Sequence, residues 1–174
     1  MQTPHNRLSI KINNKTKTEL IWAEIFRRYV NDRFACDYQE VVGKTFQIPK
    51  DYPDIDVVLV SPSGRENLFL QLRRDLGKFE IIDIDGKNTP LSDAGEIGLA
   101  ISSKQEKYGR QKKNISNIIL LIQGGGIPYS EMGLWSKGIH IPKNTFRGIY
   151  YISPKSLKNE SFVFLLLDGL KNVT

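Results

Sequence analysis

Two short apolar runs, Val57-Val58-Leu59-Val60 and Leu68 to Arg73, flank the turn residues Ser61-Pro62-Ser63-Gly64. The first run is β-branched, the second alternates, and Pro and Gly lie between them, so the spacing predicts an antiparallel hairpin. Period-two alternation sends Leu68, Leu70 and Leu72 to one face and Phe69, Gln71 and Arg73 to the other. A polar pair thus projects from an otherwise apolar strand. With the turn centred near Ser63 or Gly64, pairing sets Asp56 opposite Gln71 to Arg73, with directly opposed Cβ atoms about 5 Å apart. Asp54 has the same parity and lies further towards the rim.

A carboxylate, an amide oxygen and a cation gathered in this way suit phosphodiester hydrolysis. Asp56 can bind a hard divalent ion such as Mg²⁺ or Mn²⁺, and Mg²⁺ usually keeps several waters beside one or two protein oxygens. The Gln71 carbonyl offers a second, neutral ligand. The ion would activate water and offset charge building on the phosphate. Arg73 would stabilise that charge, but a guanidinium stays protonated and makes a poor general base. The plainer alternative is a cross-strand ion pair between Asp56 and Arg73 on a solvated face, worth under about 1 kcal/mol.

The elements around the hairpin follow from periodicity. Thr18 to Val30 has Trp22, Ile25, Phe26 and Tyr29 at helical spacing, and Thr16 with Glu19 forms a capping box at its start,. Tyr38 to Val42 and Phe46 to Ile48 read as a strand or bent strand pair. Phe79 to Ile84 reads as a further short strand, ended by Asp85-Gly86. A second helix follows, capped by Ser92 or Asp93, with Ala94, Ile97, Ile101, Gln105 and Tyr108 on its inner stripe and Gly109 as its stop. Asn117 to Ile122 is a continuous apolar run, as expected of a strand covered on both faces. Gly148 to Ile152 and Phe162 to Leu167 extend the sheet or cover its edge.

With Asp56, Gln71-Leu72-Arg73 and this order of elements on one chain, the sequence resembles the PD-(D/E)XK nuclease superfamily. In that family an Asp opens the second core strand, an acid followed two positions later by Lys lies on the third, and an earlier helix often adds a Glu. The opening Asp maps to Asp56, with Asp54 as the alternative, and the paired motif maps to Gln71 and Arg73. Gln in place of the acid resembles the Mrr-like branch, whereas Arg73 departs from the usual Lys. The resemblance covers roughly Thr16 to Gly124. It implies an α/β (α+β) fold, a single-domain restriction-endonuclease-like core with a central mixed β-sheet flanked by helices, and residues 125–174 extending the sheet. The implied helix acid is Glu19 or Glu24. Glu19 is also the capping-box acid, and Glu24 also suits an i,i+4 pair with Arg28. The implied metal set is therefore Asp56, Gln71 and Glu19, with Arg73 beside it.

At 174 residues the chain is long enough for one full core, and no Pro/Ser-rich linker divides it,. No apolar run approaches the roughly 20 residues that span a bilayer. The N-terminus has no apolar segment that would direct secretion, and Cys36 is the single cysteine, so a reducing cytoplasm is the expected setting,. Cys36 with the distant His5 and His140 cannot complete a zinc site of the usual ligand count.

The formal net charge is +6, which favours polyanion partners. Lys104, Lys107, Arg110, Lys112 and Lys113 cluster near the end of the second helix, and Arg74 ends the hairpin, so a phosphate-tracking patch is expected there. The competing reading is a solubilising face whose cations complement the helix dipole. Gln105 is either a polar contribution to the site or an ordinary surface residue. Gly124-Gly125-Gly126 lacks the Lys-Ser/Thr of a phosphate loop and reads as a turn. The Glu131 to Ile141 segment reads as an irregular loop in which Trp135 packs over the sheet or stacks on a base.

Three functions fit these residues: a Mg²⁺-dependent nuclease acting on DNA, a nuclease-fold protein that binds nucleic acid without cutting it, and a protein-interaction module. One sequence leaves a homodimer open.

Overall fold

A computed structural model of the chain describes residues 7–11, 17–41, 45–74, 90–124, 129–143, 145–153 and 160–170. The elements run β1 (Arg7–Lys11), α1 (Lys17–Phe34), β2 (Gln39–Val41), β3 (Thr45–Pro49), β4 (Val57–Val60), β5 (Leu68–Arg74), α2 (Pro90–Arg110), β6 (Ile118–Gln123), α3 (Tyr129–Trp135), β7 (Gly148–Ser153) and β8 (Phe162–Leu167). Six of the strands form one mixed sheet in the order β2-β4-β5-β6-β7-β8, and β1 pairs with β3 in a separate two-stranded sheet. The chain is thus a mixed α/β protein. The strand predicted over Phe79 to Ile84 lies outside the described residues.

The hairpin has the expected register. Val57 pairs with Leu70, Val58 with Phe69 and Leu59 with Leu68, which centres the turn between Ser63 and Gly64. Gly64 takes a φ of +88°, a conformation that costs glycine little. The turn is pinned from outside by Asp37, whose carboxylate accepts from Ser61 Oγ and from the N–H and Oγ of Ser63. These bonds hold the Asp37 carboxyl below its usual range, Ser61 having the largest effect.

β5 then pairs in parallel with β6, and β6 with β7, while β8 closes antiparallel on β7. Position inside this sheet explains the unbroken apolar run of β6. Ile118, Leu120 and Ile122 enter one core, and Ile119 and Leu121 enter the other. Period-two alternation feeds both faces, so neither parity can be polar.

The two faces have different covers. Trp22, Ala23, Phe26 and Val30 of α1 pack on the side of Val57, Leu59, Leu68 and Leu70. Ile97, Ile101 and Tyr108 of α2, with Met132 and Trp135 of α3, pack on the side of Val58, Leu120 and Ile122. Fully burying one such side chain contributes about 1.5–3 kcal/mol, so both helices are held mainly by these stripes. No helix among the described residues is long and apolar enough to cross a membrane.

Several local expectations are revised. α1 runs on to Phe34, and its buried stripe contains Ala23 and Val30, with Ile25 and Tyr29 only partly buried. α2 begins at Pro90, so Ser92 and Asp93 lie inside its first turn rather than ahead of it. A proline suits that first position because its fixed φ is already helical. At the other end the helix passes Gly109, and Lys112 makes the left-handed turn with φ of 52°. The Lys113 N–H returns to the Tyr108 carbonyl at 2.9 Å, and that of Lys112 to Gly109 at 3.0 Å, a Schellman-type ending built on lysine. The Glu131 to Ile141 segment is not an irregular loop throughout: it contains most of α3 and a 3₁₀ turn at Ser136–Gly138. Trp135 is 3% exposed, which places it in the core.

Candidate functional site

The polar groups singled out in the hairpin come together where β4 begins. Extending the register by one residue sets Asp56 opposite Gln71. The Asp56 N–H donates to the Leu70 carbonyl at 3.0 Å. Its own carboxylate then accepts the Leu72 N–H at 2.7 Å. A side chain thus continues a ladder that the backbone leaves at Pro53 to Ile55.

Gln71 is 1% exposed, on the α2 side of the sheet. Its Nε2 donates to the Asp54 carbonyl at 2.9 Å and to the hydroxyl of Tyr108. Asp54 presents a carbonyl, which only accepts, so the atom facing it must be the amide nitrogen. That fixes the orientation of the amide. Oε1 consequently points elsewhere, buried and without a hydrogen-bond partner. An unmatched buried acceptor costs about 1–3 kcal/mol, and such groups are scarce in folded proteins.

Arg73, two residues on and of the same parity, is half-buried, and its Nε is also without a partner. Tyr108 links these groups to α2. Its hydroxyl lies 3.4 Å from Lys104 Nζ, and the Lys104 and Lys107 cations stand 5.6 Å and 5.4 Å from its ring centroid, within cation–π range. Burial pushes the Tyr108 phenol up; the bond from Gln71 pulls it down, Asp54 and Asp56 raise it further and Arg73 opposes them. Four side chains from the hairpin therefore act on one phenol.

The helix acids stand differently. α1 covers the opposite face of the sheet from Gln71. Glu19 is in its first turn, with a side chain outside those described. Glu24 is bound to Arg27 through two bonds of 2.7 Å and to Arg28 through another, which lower its carboxyl from the usual range, the Arg27 bond most. It lines a groove beside α1 together with Glu40 and Phe162. Among the described residues no group of three or more His, Cys, Asp or Glu side chains is arranged to hold a metal ion. Asp56 and Gln71 are the two residues of the cluster with side-chain oxygens on facing strands, and Mg²⁺ can take as few as one or two protein oxygens when water fills the rest of its shell,.

The basic cluster is only partly available. Arg110 is paired with Glu106, and Lys113 Nζ donates to the Lys50 carbonyl at 2.9 Å. Lys107 and Lys112 are exposed, Lys104 is half-buried over Tyr108, and the Arg74 side chain lies outside those described. Gln105 turns away from the site, donating to the Lys143 carbonyl at 3.3 Å.

The sequence places Tyr108 on a buried helical stripe, within the basic stretch from Lys104 to Lys113, and does not tie it to Gln71. The signal was present: a hydroxyl on the stripe facing the sheet parity that carries Gln71. The chain matches no protein-family model, no curated protein and no solved structure.

Proposed function

We propose that the chain is a nuclease-like protein that acts on DNA by metal-assisted phosphodiester hydrolysis at Asp56 and Gln71. The observation that carries this reading is the Gln71 amide: fully buried, fixed by Asp54 and Tyr108, with its oxygen unmatched, on the residue that the β4–β5 register sets opposite Asp56. The element order supports it. α1, β2, β4, β5, α2 and β6 follow one another as a helix, three antiparallel strands, a second helix and a parallel strand, the order expected of a restriction-endonuclease-like core.

In this reading Asp56 and the Gln71 oxygen hold Mg²⁺ or Mn²⁺, which when bound lowers the pKa of a water and neutralises phosphate charge. Arg73 offers its unmatched Nε–H to the phosphate, and Lys104 and Lys107 draw the polyanion towards the α2 side. Glu24 is held by two arginines and has no part in this set. Purified protein is expected to nick supercoiled plasmid in Mg²⁺ or Mn²⁺ but not in EDTA. Cleavage that persists unchanged in Asp56→Ala would remove this site from the reaction.

A second reading has an observation of its own. Asp56 completes the β4–β5 ladder through Leu72, a role that needs no metal, and neither Gln71 nor Arg73 can take a proton. A protein that binds nucleic acid without cutting it accounts for both. It predicts DNA affinity that falls steeply with salt and no nicking with any divalent ion.

A further inference from the structure

β8 has the sequence of an interior strand and the position of an edge. Phe162–Leu167 is apolar at every position, the pattern that β6 owes to a place inside the sheet with both faces covered. Every residue of β7 is buried, yet every residue of β8 keeps some exposure, and Leu165 is 38% exposed. Among the described residues β8 has one neighbour, β7, so its outward N–H and C=O groups meet no second strand there. The opposite edge is blunted: β2 is three residues long and carries Gln39 and Glu40. Short length and charge are common guards of a sheet edge, and β8 has neither. Its one guard is the register shift opposite Ile149 and Tyr150, which leaves Phe162 to Leu165 in regular pairing.

Both flanks of this edge are apolar. On the α2 side Tyr129, 61% exposed, sets its ring 5.4 Å from that of Phe162 and 5.8 Å from that of Phe164. On the α1 side a groove lined in part by Ile25, Tyr29 and Val163 adjoins the strand. The charges along that groove, Glu24 and Glu40 with Arg27 and Arg28, sum to zero, so they call for no charged partner. An arriving strand must therefore be apolar at both parities. A lone peptide of that composition aggregates in water, so the occupant is an edge already folded into a sheet. Among the described strands, β8 is itself such an edge.

We propose that β8 is a homodimer interface, on which β8 of a second copy pairs antiparallel and continues the sheet. Two-fold pairing of like strands closes on itself. An axis normal to the sheet keeps like faces together, so opposed residues share parity. Centred on Phe164, the pairing opposes Val163 to Leu165 and Phe162 to Leu166 of the second copy. Glu160 then comes opposite Asp168 across the axis. Those like charges oppose association, as does the net charge of +6, and salt screens both. Dimerisation thus strengthens as salt rises, the reverse of binding to a polyanion. The inference is independent of the nuclease-like reading, although Gln71 would face the same way in both copies.

Sedimentation of the full chain over a wide range of concentration, in low and in high salt, tests this. A strand pair with its flanks is small beside a standard interface of about 1,600 Å², so a monomer–dimer equilibrium with a Kd of about 1–100 µM is expected, tighter in high salt. Leu165→Lys sets a charge on the edge and is expected to weaken dimerisation about tenfold or more. Its melting temperature should change little, because Leu165 is already partly exposed. Leu99→Lys, at a position of α2 that is 70% exposed, is expected to leave the dimer unchanged. Four results overturn the proposal: monomer at every concentration up to about 1 mM, a dimer that high salt loosens, weakening by Leu99→Lys equal to that by Leu165→Lys, or growth beyond the dimer. Should Leu165→Lys fold poorly, hydrogen exchange on wild type decides. Amides of Phe162 to Leu165 are expected to gain protection as concentration rises, and protection independent of concentration overturns the pairing.

Discussion

The carboxylate of Asp56 accepts the backbone N–H of Leu72 at 2.7 Å, so the side chain offered as a metal ligand also finishes a β-ladder. Stability and chemistry at this residue are separable because an amide keeps one function and loses the other. Asp56→Asn retains an acceptor for Leu72 and is expected to melt within about 2 °C of wild type while losing metal-dependent nicking. Asp56→Ala strands the Leu72 N–H and is expected to cost about 1–3 kcal/mol in urea denaturation as well. Full activity in Asp56→Asn would show that the carboxylate charge is not needed.

Glu40 is held above its ordinary value of 4.5 chiefly by burial, with Glu24 adding like charge and Arg27 opposing. A raised carboxyl means that the folded state binds its proton more tightly than the unfolded chain. Its contribution is present at low pH and is lost as pH rises above 4.5 through the folded pKa. Glu40→Gln is therefore expected to flatten that fall and to leave the protein more stable at neutral pH. Denaturation midpoints measured from acid to neutral pH check this, and an unchanged slope would assign the effect to another group.

Lys112 closes α2 in the left-handed region, with φ of 52°, where a side chain costs about 1 kcal/mol relative to glycine. Lys112→Gly is expected to raise the melting temperature by about 2–4 °C. The same change removes one exposed cation. If Lys112 meets a phosphate, the salt dependence of DNA binding should become shallower by about one unit of slope, so calorimetry and titration report on the two roles independently.

Gly124 follows β6 directly, and a Cβ there would lie 1.8 Å from the ring of Tyr151. The backbone cannot easily withdraw, because the Gly124 N–H is bonded to the Ile152 carbonyl at 2.9 Å. Gly124→Ala is expected to destabilise by about 1–3 kcal/mol or more. In a Tyr151→Ala background the same substitution should cost far less, a coupling that a double-mutant cycle would detect.

What the sequence reveals here depends on how far a contact reaches along the chain. Asp56 and Gln71 are legible because one short turn fixes their register, and β6 is legible because burial on both faces leaves an unbroken apolar run. The bond from Gln71 to Tyr108 joins a strand to a helix 37 positions away, and no local period encodes it. β1 was missed for the same reason: Arg7 to Lys11 alternates, but its partner is β3. α3 was hidden by its length, since seven residues with Met132 and Trp135 as its buried anchors give barely two turns of periodicity. Glu24 matched an i,i+4 pair with Arg28, and that is one of the bonds it makes.

The parallel pairing of β5 with β6 also bears on the order of assembly. Gln71 pairs with Leu120, so the middle of the sheet closes a loop of roughly 50 residues, a slow entropic step compared with closing a hairpin. Asp56 and Gln71 can meet as soon as the turn at Gly64 forms, whereas Tyr108 arrives only when α2 docks and β6 is laid down. Stopped-flow refolding should then show Gly64→Ala slowing folding, and Tyr108→Phe chiefly hastening unfolding. The half of the site that would hold an ion is expected to exist before the half that would hold a phosphate.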